Sequence, residues 1–179
     1  MSPLRVTGGE SRGRRLKAPR NIRPTQGIVK QAIFNIVAAQ VEGATVIDLF
    51  AGSGAIGIEA LSRGAKQVTF VDRGERGLAI LRQNLDALDV SRRARVVRAD
   101  VVRWIESSAD ELKAADLVFL DPPYGDQVFD RALQAIDRSG TEATIVAEYS
   151  RRQSLPRLEH LKLGREHRYG DTMLAVLRP

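Results

Sequence analysis

The 179-residue chain has no cysteine, which excludes disulfides, thiolate metal sites and any mechanism that needs a sulfur nucleophile. Histidine is nearly as scarce: only His160 and His167 occur, both in a polar stretch near the C-terminus. A histidine-rich metal site is therefore not expected, and both are read as surface or hairpin residues. The single tryptophan, Trp104, sits in V-V-R-W-I and reads as a core or interdomain aromatic rather than a platform for a base. No apolar run is long enough to span a bilayer, and the first twenty residues are basic and glycine-containing, without the apolar segment of a signal peptide. A soluble cytoplasmic protein is the expectation. Acid is missing from one end. Residues 1–40 hold Arg5, Arg12, Arg14, Arg15, Lys17, Arg20, Arg23 and Lys30 against Glu10 alone, whereas the remainder holds 20 basic and 21 acidic residues. A basic arm on a near-neutral domain points to a polyanion, most simply nucleic acid.

What is present is organised around Val46–Leu61, V-I-D-L-F-A-G-S-G-A-I-G-I-E-A-L. An apolar β-branched run, a turn at Gly52–Gly54 and a run of helix formers read as strand, glycine turn and helix. Gly52, Gly54 and Gly57 spell G-x-G-x-x-G, which taken alone fits a dinucleotide turn carrying a pyrophosphate. Asp48 separates the readings. A bare carboxylate beside the turn repels a pyrophosphate and attracts a ligand bearing an ammonium or sulfonium. A nicotinamide-dependent reductase is disfavoured on that ground, and S-adenosylmethionine is the common adenine nucleoside with the required charge. The run D-L-F-A-G-S-G resembles the first motif of the Rossmann-like methyltransferases.

The other strands end in acids. Gln67–Asp72 is a second strand, with Asp72 placed to accept hydrogen bonds from ribose hydroxyls about 20 residues after the first glycine. A helix is predicted from Glu75 to about Leu88. Ala94–Asp100 is a third strand, whose Asp100 either accepts from an adenine amino group or caps the next helix. Asp116–Tyr124, D-L-V-F-L-D-P-P-Y, is a buried parallel strand stopped by Pro122-Pro123, which aims Asp121 and Tyr124 off the sheet edge. Methylating an exocyclic amine requires lone-pair density on a nitrogen conjugated with its ring. A carboxylate and a backbone carbonyl accepting the two N–H protons favour the nucleophilic geometry, and a stacked tyrosine fixes the line of attack. Asp126 is placed to cap a helix over about Gln127–Arg138, Thr144–Tyr149 is a fifth strand, and His160–Tyr169 with Thr172–Leu177 is a hairpin turning at Gly170-Asp171.

At the N-terminus, Leu4–Ala18 is expected to form a short β-hairpin with arginines on its exposed face, marginal unless it packs on something. Helical spacing predicts a helix from about Gly27 to Ala39, with Thr25 as N-cap and an amide-rich start able to approach a cofactor carboxylate. The order predicts an α/β fold: a mostly parallel sheet with a C-terminal antiparallel hairpin, helices on both faces and a small basic N-terminal β-hairpin extension. Residues 1–22 are read as an RNA-contacting arm and 23–179 as the domain. Arg92, Arg93, Arg95, Arg98 and Arg103 form a further basic cluster, dispersed over strand faces.

Taken together, the pattern resembles the bacterial methyltransferases that modify guanine N2 in small-subunit ribosomal RNA, the RsmD-like family. The resemblance rests on G-x-x-x-G-R-R-L at Gly9–Leu16, Arg23-Pro24-Thr25 with its helix through Phe34-Asn35, D-L-F-A-G-S-G, D-P-P-Y, and Tyr169-Gly170-Asp171-Thr172. It implies a Rossmann-like methyltransferase with S-adenosylmethionine held by Asp48, Phe50, Gly52, Gly54, Asp72, Asp100 and Thr25. Asp121, Pro122 and Tyr124 would address the guanine, and Arg5, Arg12, Arg14, Arg15, Lys17 and Arg20 would contact RNA. It further implies a monomer acting on ribosomal RNA or an assembling 30S particle, with no metal and no membrane. The absence of cysteine accords with this, because carbon-5 methylation of pyrimidines generally runs through a cysteine adduct. The family's helix usually continues T-x-D-R-V-R-E where this chain has T-Q-G-I-V-K-Q, so no role is carried to Gly27 or Ile28. Adenine N6, cytosine N4 or a protein glutamine as acceptor, and a non-catalytic assembly factor, are the competing readings.

Overall fold

Seven strands form one sheet in the order β3-β2-β1-β4-β5-β7-β6. The computed structural model describes residues 4–18, 25–123 and 127–179, with the backbone alone at Thr25 and Gln26. The strands are β1 (Thr45–Leu49), β2 (Gln67–Asp72), β3 (Ala94–Arg98), β4 (Leu117–Leu120), β5 (Thr144–Ser150), β6 (Lys162–Tyr169) and β7 (Thr172–Arg178). The first five run parallel, while β7 is antiparallel to both β5 and β6. This is the expected mostly parallel sheet with a C-terminal hairpin.

Central strands buried on both faces need helices on both sides. Helices α1 (Thr25–Ile36), α3 (Ala55–Ser62) and α4 (Glu75–Ala87) cover one face and share a core with Val46, Phe70, Phe119 and Leu174. Helices α5 (Val101–Ser107), α6 (Ala109–Lys113) and α7 (Val128–Arg138) cover the other, where Trp104 is a core residue beside Ile47, Val118 and Ile145. Chain order reverses between β1 and β4, and open α/β sheets bind ligands in the crevice that such a reversal leaves at the carboxyl ends of the strands.

The N-terminal residues form a minimal hairpin, with one bridge between Arg5 and Arg15 and a turn that uses Gly9 and Gly13 at positive φ. Packing makes up for its size. Val6 and Leu16 are buried in the core shared by α1, α3 and α4, and the Glu10 and Ser11 amides donate to the carbonyl and hydroxyl of Ser62 on α3.

Several boundaries differ from the sequence reading. The first helix begins at Thr25, and it breaks at Val37, where φ −102° and ψ 12° leave helical geometry; a separate turn, α2 (Ala38–Val41), follows. β1 stops at Leu49 because Phe50 adopts φ 61°. β3 stops at Arg98, and Asp100 begins α5. Helix α6 is a short additional turn between α5 and β4. Lys30 does not belong with the solvent-facing arm charges: it is 2% exposed, held by Glu59. The expected helix cap at Asp126 lies outside the described residues.

Candidate active site

The carboxyl edge of the sheet gathers the acids that ended each strand in the sequence. On β1, side chains alternate between the two cores, so Asp48 faces the same side as Val46, toward α3. Its Oδ2 accepts from the Gly57 amide at 2.8 Å, and the residue is 2% exposed. Gly57 is needed there, since a Cβ would fall 2.2 Å from Phe70 Cε1 and 2.9 Å from Asp48 Oδ2. Gly54 caps α3 at φ 84°, where a Cβ would fall 2.2 Å from Leu81 Cδ1. Gly52 has positive φ and open space where its Cβ would stand, so the turn presents bare backbone to the crevice.

Asp72 anchors this turn: Oδ2 accepts from the Gly52 amide at 2.9 Å and Oδ1 from Gly74 at 2.6 Å. Each oxygen keeps acceptor capacity beyond these bonds. Asp100 is exposed and caps α5, its Oδ1 accepting from the Arg103 amide at 3.1 Å. Phe50 stands between strand and turn in the left-handed region, which for a bulky residue stores about 1–3 kcal/mol of strain.

Burial pushes the Asp48 carboxyl up to about 7, the Gly57 amide working against this and the charge of Asp72 adding to it. The folded-state pKa lies above the ordinary 3.8, so between these values the folded chain holds a proton that the unfolded chain has lost. The Asp48 contribution to the stability of the ligand-free protein therefore falls as pH rises from about 4 to about 7, and is level above. A cationic ligand seated beside Asp48 would favour the ionised form and expel that proton. S-adenosylmethionine affinity is expected to rise about tenfold per pH unit between pH 5 and 7 and then flatten. Calorimetry in buffers of different ionisation enthalpy checks this, and binding at pH 6 without proton release would contradict it.

On the adjacent strand, β4 carries Asp121 and Pro122 to the same edge. β1 and β4 pair in register from Val46 to Leu49, and the Asp121 amide lies 3.5 Å from the Leu49 carbonyl. Asp121 is half-buried and Pro122 buried. The D-P-P turn therefore begins beside the start of the glycine turn. Tyr124 lies outside the described residues, as do Arg20 and the side chain of Thr25.

Of the hairpin cations, Arg12 and Arg15 are exposed, Arg5 donates to the Gly13 carbonyl, Arg14 to the Ala87 carbonyl and Lys17 to Gln83. Two residues missed by sequence reasoning fix this arm. Buried Asn84 accepts from the Lys17 amide and donates to the carbonyls of Lys17 and Ser53, stitching the end of the hairpin to the glycine turn. Glu59, fully buried, accepts from the Thr7 amide and hydroxyl, Lys30 and Arg63.

Cavities of about 540 and 300 Å³, lined by Gln40, Lys113 and Asp116 and by Thr45, Gln67 and Arg92 respectively, open at the opposite edge of the sheet. No acid of the candidate site lines either. Among the described residues no group of three or more His, Asp or Glu side chains converges as a metal site, and no helix is long and apolar enough to cross a membrane.

The Escherichia coli protein named ribosomal RNA small subunit methyltransferase D is 33% identical over 86% of this chain and 78% of its own length. The family model described as conserved hypothetical protein 95 matches residues 4–178. The chain belongs to this family, the RsmD family. The Bacillus subtilis family member "Putative rRNA methyltransferase YlbH" is 38% identical over 98% of both chains. The solved structure of the Escherichia coli "Putative methyltransferase yhhF" superposes with a TM-score of 0.86 at 29% identity, covering 99% of this chain and 98% of that one. RsmD-family membership and the seven-stranded sheet agree with the resemblance carried by the motifs.

Proposed function

We propose that this protein transfers a methyl group from S-adenosylmethionine to the exocyclic N2 of a guanine in small-subunit (16S) ribosomal RNA, as a monomeric cytoplasmic enzyme acting on RNA or an assembling 30S particle. The observation that carries the reading is the adjacency of two motifs: the acid-flanked glycine turn after β1 and the D-P-P turn after β4 meet at the point where strand order reverses. The name of the Escherichia coli relative supports the substrate class.

The donor set fits the cofactor. Asp72 and Asp100 at one edge, with Asp48 ionising as a cationic ligand binds, disfavour a pyrophosphate and suit a ligand with a cationic centre and hydroxyl groups. Asp48 would supply the negative field, Asp72 acceptor capacity for ribose hydroxyls, and the bare backbone at Gly52 a close approach. Asp100 spends one oxygen on its helix cap and keeps the other for an adenine amine. When bound, S-adenosylmethionine supplies an electrophilic methyl group. Asp121 and a backbone carbonyl of the D-P-P turn would accept hydrogen bonds from the two N–H groups of the guanine amine, which holds the nitrogen lone pair toward the methyl and stabilises the positive charge that develops on nitrogen as the N–C bond forms and the C–S bond breaks; the one proton released would pass to Asp121 or to water. Tyr124 would stack on the base. The target guanine must be unpaired or flipped out, because pairing buries N2 in the minor groove.

Transcripts with inosine in place of guanosine lack only the N2 amine. They are expected to take up no methyl label, while guanosine transcripts of the same sequence do. Label retained in the inosine transcript would sink the assignment to N2.

A further inference from the structure

Both edges of the sheet carry arginine-rich strands, and they are treated differently by the fold. At the β3 edge arginines are paired with acids of the chain: Arg93 with Glu10, Arg95 with Glu111 at 2.5 Å and Arg98 with Glu75 at 3.4 Å, while Arg92 and Arg103 beside them are exposed. At the β6 edge they are not. Residues 150–179 hold seven basic residues against Glu159, Glu166 and Asp171, and two of these acids are occupied, Glu166 by the Tyr149 hydroxyl and Asp171 by Arg151. The exposed guanidiniums of Arg152, Arg165 and Arg168 have no carboxylate partner among the described residues, and Arg168 donates only to the Gly170 carbonyl.

Their placement relative to the site is fixed by register. Ser150, Thr172 and Tyr169 are level across β5, β7 and β6, so Arg151, Arg152 and Arg168 stand at the carboxyl edge, on the side of Asp121 away from the glycine turn. The Arg151 amide donates to the Asp171 carbonyl at 2.9 Å, tying the start of the 151–161 loop to the β6–β7 turn. Gln153 reaches Asp130 at 3.1 Å on the first turn of α7, the helix that follows D-P-P-Y. The far end of the loop is held by Asp137, whose carboxylate accepts the amides of Glu159, His160 and Leu161.

We propose that the exposed β6 edge and the carboxyl end of β5, β7 and β6 form a second RNA-contacting surface, with Arg152 and Arg168 at the carboxyl edge and Arg165 farther down β6 binding phosphates on the side of the target-base site opposite the N-terminal hairpin. The inference rests on the RNA-methyltransferase reading and extends it: the RNA is gripped on both flanks of the reacting guanine. Phosphate contacts of this kind orient the strand without reading its sequence. Charge complementarity selects the partner, since Arg152 and Arg168 lie at the edge where the reaction occurs, Arg165 lies on the same exposed strand, and none of the three has a carboxylate partner among the described residues.

The test is the salt dependence of binding to a small-subunit RNA fragment, together with KM and kcat, for the wild-type protein, Arg152→Ser/Arg165→Ser/Arg168→Ser, the same three changed to lysine, and Arg95→Ser. Removing three phosphate contacts is expected to lower the slope of log K against log salt by about two and to raise KM for RNA. S-adenosylmethionine affinity should be unchanged, the lysine variant should recover the slope, and Arg95→Ser should match wild type. A triple-serine variant with wild-type slope and KM overturns the proposal. Self-association of that variant with KM and slope otherwise unchanged also overturns it, since the charges then guard the sheet edge against strand pairing. Wild-type protein that neither binds nor methylates RNA overturns the functional reading and this proposal with it, a result distinct from failure of the variant alone.

Discussion

Replacing Asp121 with alanine is expected to lower kcat for methyl transfer by about 10²–10³-fold, the usual loss when one preorganised group facing developing charge is removed, while S-adenosylmethionine affinity stays within about threefold of wild type. The split follows from the architecture. The proposed cofactor contacts belong to β1, β2 and the turns after β1, β2 and β3, whereas Asp121 begins the turn after β4. Its backbone amide still faces the Leu49 carbonyl when the side chain is truncated, so the edge of the sheet is kept. Asp121→Asn is the sharper variant, because it preserves shape and removes the charge. It should fall between alanine and wild type. Single-turnover rates with cofactor bound in advance check both, and a fully active alanine variant would remove Asp121 from the mechanism.

The second large effect is on stability. Glu59→Ala is expected to destabilise the protein by about 3–5 kcal/mol, the range for removing one partner of a buried ion pair. The cost comes from what remains: Lys30, 2% exposed, would keep a buried ammonium whose other acceptor is the Arg5 carbonyl at 2.5 Å. Arg63, which lies over the Phe34 ring, would lose its carboxylate. Burial alone would push the Glu59 carboxyl up, but the Thr7 amide and the Lys30 ammonium outweigh it and hold it below its ordinary 4.5. With the folded pKa depressed, the contribution is complete above the unfolded value and disappears as pH falls through the folded one. Wild type and variant should therefore converge in stability on strong acidification. Denaturant unfolding at pH 7 and in acid checks this, and equal stability at pH 7 would show that the network holds nothing. A Glu59→Ala/Lys30→Met double variant should recover part of the loss, since it leaves no unpaired ammonium.

The placement of the candidate site was legible because its acids and glycines sit on contiguous residues. An acid before a glycine turn, an acid ending the next strand and D-P-P after a buried run each announce their place by local pattern, and parallel topology brings strand tips to one edge. Contacts between distant segments were less legible. Lys30 was counted as an arm cation although it shares helical spacing with Ile33, Phe34 and Val37, the buried stripe of α1. That periodicity, and the position of Glu59 between Ile58 and Ala60, were the available signals of a buried pair. Asn84 gave no such signal, because its two partners lie 67 and 31 residues away. Asp100 could be read as a cap or as a ligand acceptor, and the helix it starts shows the cap. Arg151–Arg157 reads as a basic loop in the sequence, but the near-neutral charge after residue 40 averages a basic C-terminal stretch with an acidic middle and so hides the cations of the β6 edge.

The most direct test of the account is transfer of a labelled methyl group from S-adenosylmethionine to small-subunit ribosomal RNA, and to small-subunit particles lacking the modification, followed by digestion to nucleosides. The account requires label in N2-methylguanosine, in RNA, in particles or in both, and its loss with Asp121→Ala. Label in N6-methyladenosine or N4-methylcytidine, or no label in any RNA while the cofactor binds, would contradict it.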